Sequence, residues 1–459
     1  MEALFPLIAA AVAASIMYLV TSERRRAHLR VWRAAAQRVG MAEVEEAEGG
    51  LFEGEFVTGR SGNLRVRLES YRQGKSVHGT KIVVGGFDHG TGGLSLRREG
   101  LSTAFEKRFI GEREIEIGDP AFDAEYYVQG QAPLAVGLLD SETRRRLGRL
   151  MRGRIAVAGR EAIEVDPSLG DGILEVRVKE SGFSDKRERI PEILAGVLEV
   201  AHRLVAPPDV AARIAANLRA EPEAGVRLRG VLMLSREFPH HPATREALLL
   251  AREDASEEVR LRAGMALGEE GRETLLDLVE RAGTDDACAA RAIAALGERL
   301  PAERAEAALR RALGGAGRPQ TAQACLEALA RLGRTEAEGL MLGALRHEDA
   351  QVAVAAAKVL GRVGTVAAVA ALREAMPPHG ELLRSVGRQA IAEIQARLTG
   401  AEPGQLSLAV GEAGALSLAD GEPGRLSLAE EAGEGTPAGD EASTDAGPTP
   451  ERKRDGVRS

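Results

Sequence analysis

Aromatic residues make up only 3% of this 459-residue chain, and cysteine occurs twice, at Cys288 and Cys325. Two cysteines cannot build a multi-bridge framework, which argues against a disulfide-built secreted domain and suits a reducing compartment. So few aromatics point away from a large β-sandwich core and toward close helix packing through small residues. Lysine is nearly missing. Arg outnumbers Lys 54 to 7 and Asn occurs only twice, a genomic composition bias rather than nucleic-acid chemistry. His-Glu-x-x-His, Gly-x-Ser-x-Gly and Cys-x-x-Cys are all absent, so the zinc, nucleophile-elbow and dithiol chemistries they carry are not encoded. What is present is a 44% apolar chain of net charge −8, apolar enough for a core and long enough for two or three domains.

Residues Ala3 to Val20 form an 18-residue run without charge, ALFPLIAAAVAASIMYLV. As a helix it would span about 27 Å, enough for a thin bilayer core. A cleaved signal peptide carries positive charge ahead of its apolar run. Here only Met1-Glu2 precede it, and Arg24, Arg25, Arg26, Arg30 and Arg33 all follow. The expectation is an uncleaved membrane anchor over 1–21, then a basic juxtamembrane helix over 22–40 suited to anionic headgroups. Positive charge after the span puts the N-terminus outside and the body in the cytoplasm.

From Met41 the pattern changes to short β-prone runs between Gly-rich turns: LFEGEFVTG, NLRVRLESYR, TKIVVGGF, GGLSLRREG and REIEIGDP. Asn63 to Glu69 alternates apolar and polar residues strictly, as a half-solvated strand does. Antiparallel pairing through hairpins is expected over 41–204. The stretch GGFDHGTGG (85–93) is not followed by Gly-Lys-Ser/Thr at a helix start, so it reads as a hairpin loop rather than a phosphate cradle. Asp88, His89, Asp119 and Asp123 match no metal-ligand spacing. Asp119 and Asp123 read as turn residues, and Asp140-Ser141-Glu142-Thr143 opens a helix.

Trp32 and the Gly118-Asp119…Phe122-Asp123 segment, set among a membrane helix and a β-rich domain, resemble a recurrent bacterial membrane-anchored module of uncharacterised function. The resemblance covers roughly residues 1–200 and implies no known activity. It implies a bacterial inner-membrane, single-pass protein.

The most specific signal is an internal repeat. VRLRAGMALG (259–268), CAARAIAALG (288–297), ACLEALARLG (324–333) and VAVAAAKVLG (352–361) all end in Leu-Gly, at steps of 29, 36 and 28 residues. Each follows a shorter helical stretch, so each unit reads as two antiparallel helices with a glycine C-cap. Ala263, Ala292, Ala328 and Ala356 sit at inner positions. Flanking helix pairs at each end make about six units over 205–398. These units resemble HEAT repeats, whose second helix carries Asp…Val-Arg…Ala…Ala-Leu-Gly. The clearest copy is Asp254, Val259, Arg260, Ala263, Ala266, Leu267 and Gly268. Ala289, Cys325 and Ala353 stand where that copy has Arg260, so the Asp–Arg ladder of the family is expected to be incomplete.

A stacked solenoid offers a long binding surface and few enclosed pockets. With 26 basic and 27 acidic residues over 206–398 it lacks the positive balance of a nucleic-acid binder. Arg260, Arg262, Arg291, Arg384 and Arg388 are the solvent-facing candidates for contact with an acidic partner peptide. Cys288 and Cys325 read as core thiols, and His240-His241 as an inter-helix connection. After Thr399 come three ten-residue copies, PGQLSLAVGE, AGALSLADGE and PGRLSLAEEA, within an acidic low-complexity tail of net −7. It is expected to be disordered, and its copies read as slippage, as a linear motif or as a small β-meander.

The sum is a multidomain α+β chain: membrane helix, β-rich antiparallel domain, all-α solenoid and tail. Its expected role is a non-enzymatic membrane-tethered scaffold for a protein partner. No metal, cofactor, small-molecule ligand or nucleic acid is expected. The alternative is an enzyme, either in the β-rich domain or as a HEAT-like lyase.

Overall fold

The computed structural model describes residues 4–47, 54–73, 76–87, 93–98, 114–151, 156–157, 160–161, 163–170, 172–180, 189–281, 283–314, 318–332, 337–376, 380–397, 406–408 and 416–418. The chain opens with one continuous helix, α1 (Leu4–Arg38). The apolar run and the arginine run therefore belong to a single element. Leu29, Trp32, Ala35 and Ala36 recur at helical spacing and are buried. Trp32 donates its indole N–H to Thr80 Oγ1 at 3.1 Å. Burying that side chain is worth roughly 2–3 kcal/mol.

This overturns the expected membrane anchor. Among the described residues, no helix is long and apolar enough to cross a membrane. The span over 1–21, the N-outside topology and the inner-membrane location are therefore withdrawn. Several arginines of the basic stretch make contacts within the protein. Arg33 pairs with Glu46, Arg26 with Glu23 and Arg25 with Glu55. His28 Nδ1 meets Glu55 at 2.9 Å, and Arg30 bonds the Arg26 carbonyl.

Strands β1 (Ala42–Ala47), β2 (Phe56–Ser61), β3 (Leu64–Gln73), β4 (Ser76–Gly85) and β5 (Leu94–Arg98) follow. A single-turn helix α2 (Pro120–Asp123) precedes β6 (Tyr126–Gly130), α3 (Ala132–Leu138) and α4 (Ser141–Met151). The two-residue strands β7 (Ala156–Val157) and β8 (Arg160–Glu161) pair with each other, and β9 (Ile163–Gly170) and β10 (Ile173–Glu180) complete the set. Among the described residues eight strands form one antiparallel sheet in the order β1-β2-β3-β4-β10-β9-β5-β6. Its register decides which face is buried. Val66 lies opposite Val84, Leu68 opposite Ile82, and Ile82 opposite Val176, so the apolar members of the alternation share one side. That side is covered by α1, α4 and a further helix, α5 (Ile190–Arg203). The other side carries Glu69, Lys81 and Glu175. Lys81 bridges the two carboxylates at 3.1 and 3.0 Å.

Of the β-prone runs at 63–72, 80–87 and 173–178, residues 64–72, 80–85 and 173–178 are in strands of the sheet. Of the REIEIGDP segment, residues 114–117 form no strand, although Ile115 N–H donates to the Val128 carbonyl along β6. Residues 88–92 of the Gly-rich loop, with Asp88 and His89, lie outside the described residues.

Beyond α5 the described residues form six helical hairpins: α6 (Val210–Ala220) with α7 (Ala224–Glu237), α8 (Pro242–Ala251) with α9 (Glu257–Leu267), and α10 (Arg272–Glu280) with α11 (Asp286–Leu296). They continue with α12 (Ala302–Gly314) and α13 (Pro319–Arg331), α14 (Glu338–Ala344) and α15 (Ala350–Val363), and α16 (Ala367–Ala375) and α17 (Gly380–Arg397). Second helices stack on second helices, α9 on α7, α13 on α11 and α15 on α13. Ala263, Ala292, Ala328 and Ala356 are all buried in these seams. Small residues at a seam let neighbouring helices pack closely. Gly268 and Gly297 end their helices at φ +61° and +54°, where a Cβ is disfavoured. Gly361 does not serve as the expected cap. It is buried inside α15, and a Cβ there would meet Ala390 Cα at 3.0 Å. Gly333 lies outside the described residues.

The described chain divides into a unit over Met1–Ile394 and another over Gln395–Ser459. In the second, β11 (Leu406–Leu408) pairs antiparallel with β12 (Leu416–Leu418), Ser407 opposite Ser417. The rest of the expected tail lies outside the described residues.

Candidate functional site

The solenoid is built onto the sheet domain through a charged ladder. Arg227, in the first turn of α7, donates to both oxygens of Asp254 in the next repeat at 2.7 and 2.9 Å. Its Nη1 also caps the carbonyls of Glu221 and Pro222. Arg260 occupies the same place in α9 and caps the Asp254 and Ala255 carbonyls at 2.7 and 3.3 Å. The equivalent arginine ahead of Glu221 comes from the β-rich domain. Arg144 of α4 gives Nη2 to Glu221 at 2.8 Å, Nε to Asp119 at 2.8 Å, and Nη1 to the Leu139 carbonyl. Arg144 and Glu221 are both buried. Burial opposes the charge on Arg144, but the Glu221 and Asp119 carboxylates outweigh it and raise its pKa.

The same joint explains the Gly118-Asp119…Phe122-Asp123 segment. Asp119 caps α2 by accepting from Ala121 and Phe122. Asp123 accepts from Ile117 and Gly118. Gly118 lies at φ +97°, and a Cβ on it would sit 2.5 Å from the Gly225 backbone. Two backbones touch here, one from each side of the joint. Beside them, Asp140 binds Arg203 and Arg213. Burial opposes its charged form, yet hydrogen bonds from Arg203 and Thr143 hold its carboxyl below the usual range. Asp119 and Asp123 are thus committed to structure and gather no metal set. Among the described residues no group of His, Cys, Asp and Glu could hold an ion.

The second helices then form two unlike stretches of surface. In α9 and α11, Arg262 and Arg291 converge on Glu258, Arg262 Nε at 3.0 Å and Arg291 Nη1 at 2.9 Å. Farther on, α13, α15 and α17 enclose a cleft of about 420 Å³. Val354, Ala355, Val359, Val386 and Ala390 supply its apolar lining, with Gln323 and Glu327 from α13, Gln351, Lys358 and Arg362 from α15, and Gln389 and Glu393 from α17. Gln389 is tied to Glu393 at 3.0 Å. Among the described residues Lys358 and Arg362 have no ion-pair partner.

Of the five arginines expected to meet a partner, Arg260 is not solvent-facing. It is 8% exposed and spent on its own turn. Arg262 and Arg291 share one carboxylate, Glu258, so each has a partner within the solenoid. Arg384 and Arg388 are exposed on α17. At 100° per residue they point away from Val386, Gln389, Ala390 and Glu393. Sequence reasoning missed Lys358 and Arg362, although Gln351, Ala355, Lys358 and Arg362 follow one helical stripe opposite the alanine seam. Cys325 is buried, which pushes its thiol up to about 12. Burial likewise raises Cys288. Neither thiol is an available nucleophile. His241 caps α8 and pairs with Asp209 at 3.1 Å.

The family model for HEAT repeats matches residues 306–392, the stretch holding this cleft. No curated protein matches the chain. Residues 306–392 are thus similar to HEAT repeats, and the stacked hairpins form a HEAT-like helical solenoid joined to an antiparallel sheet domain.

Proposed function

We infer that this chain is a non-enzymatic scaffold that holds a protein partner in the cleft between α13, α15 and α17. The observation that carries this reading is Lys358 and Arg362, without an ion pair among the described residues, beside an apolar lining in the region similar to HEAT repeats. A binding surface combines buried apolar contact with polar groups that are left to be satisfied by the partner. Catalysis would need convergent groups of matched pKa. In the β-rich domain the Asp119 and Asp123 carboxylates are engaged by backbone amides and Arg144. The β-rich domain acts in this reading as the base on which the solenoid is mounted.

The test is photo-cross-linking in cells of the source organism. A benzoylphenylalanine at Gln351, in the cleft, should yield a discrete adduct with one protein. The same group at Arg384, on the far side of α17, should not. Equal adducts at both positions, or none at Gln351, would refute the reading.

A further inference from the structure

The cleft also carries information about the chemistry of its occupant. In the first repeats, arginines of the second helices meet carboxylates of this chain: Arg229 meets Glu116 at 2.8 Å, and Arg262 and Arg291 meet Glu258. On α15 the pattern breaks. Lys358 and Arg362 stand four residues apart, hence one above the other on one face, about 6 Å between their Cβ atoms. Like charges at this spacing repel, and no carboxylate of the described residues pairs with either. The carboxylate of Glu393 is tied to Gln389 instead. Below the pair lie Val354 and Val359, buried in the wall of the cleft. Glu327 marks the opposite wall on α13.

We propose that the cleft takes a peptide segment presenting one or two carboxylates beside apolar side chains; this rests on the cleft being the partner site. The apolar side chains cover Val354, Val359 and Ala390. A carboxylate meets the Arg362 guanidinium in two-point contact, and Lys358 supplies a second, less directional charge. Glu327 orients the segment by repelling acids from the α13 wall.

Random twelve-residue peptides displayed on phage are selected against the full chain and re-tested on three variants. K358Q/R362Q removes the two charges. Ala355→Trp fills the cleft at a half-exposed position. R384Q/R388Q neutralises the far side of α17 and serves as control. Each variant is first checked for an unchanged thermal melt. The expected result is enrichment of Asp and Glu beside apolar residues, with binding about tenfold weaker or worse on K358Q/R362Q, the size of one lost charge-assisted hydrogen bond. Binding should be lost on Ala355→Trp and kept on R384Q/R388Q. Peptides that lose binding on Ala355→Trp but show no acidic bias, or ignore K358Q/R362Q, would overturn the acidic chemistry and leave the cleft standing. Peptides indifferent to Ala355→Trp, or no selected peptides at all, would overturn both.

Discussion

At the sheet-facing end of the solenoid, Arg144, Arg213 and Arg227 each meet a carboxylate on a neighbouring element. At the far end, Lys358 and Arg362 stand one turn apart on α15 with no such partner among the described residues. The repeats use one helical hairpin throughout, so the difference lies in where charge is spent. Buried pairs at the near end fix one geometry. A buried ion pair adds little net stability over an apolar substitute, but breaking one side of it is costly. Exposed cations at the far end cost little to keep and leave attraction for something else. The near end is a joint, and the far end is a surface.

Four changes would break or sharpen this contrast. The largest effect is expected from Gly225→Val. A Cβ at Gly225 meets the Gly118 carbonyl oxygen at 2.2 Å, so backbone must move. A loss of about 4 kcal/mol or more is expected from urea unfolding. Gly343→Ala, with nothing within 4 Å of the new atom, should be neutral or slightly stabilising. Next comes Arg144→Ala, which strands Glu221 at 2% side-chain exposure. About 3 kcal/mol should be lost, and the paired change Arg144→Met with Glu221→Leu should recover most of it.

Third is acid. Burial opposes the charged forms of Asp140, Asp254 and Glu258, yet hydrogen bonds from arginines, joined at the two aspartates by backbone amides, hold all three below their ordinary values. A lowered folded pKa stabilises fully above the unfolded value, 3.8 for Asp and 4.5 for Glu, and is lost as pH falls through the folded one. Urea midpoints should therefore drop between about pH 5 and pH 2. Asp140→Asn should flatten that drop, and Lys358→Gln should leave it unchanged. The smallest effect on stability belongs to Lys358→Glu. It should shift unfolding by no more than about 0.5 kcal/mol while abolishing the cross-link at Gln351.

How much of this was legible beforehand follows the same division. Strict alternation over Asn63–Glu69 marked β3, because a period of two is local. The Leu-Gly repeats marked the helix pairs, because a left-handed cap at Gly268 and Gly297 is local too. Gly361 misled, since its need for smallness comes from Ala390 on another helix. The apolar run at 3–20 suggested a membrane span by length and composition. The structure continues its helix to Arg38 and buries Trp32 against Thr80, contacts that only the fold supplies. The joint was invisible for the same reason. Arg144 and Glu221 are 77 residues apart, and nothing near either names the other. Arg227 and Arg260 share a Val-Arg-Leu-Arg sequence whose recurrence would have pointed to the first rung. The cleft was half visible, because the stripe of Gln351, Lys358 and Arg362 on α15 needed the flanking helices to become a wall.

The most direct measurement is hydrogen exchange on the full chain, alone and with the protein cross-linked through Gln351 supplied in purified form. Slowed exchange concentrated in α13, α15 and α17, with α6 to α9 unchanged, is the predicted result. Protection centred on the sheet or on the first repeats would contradict it.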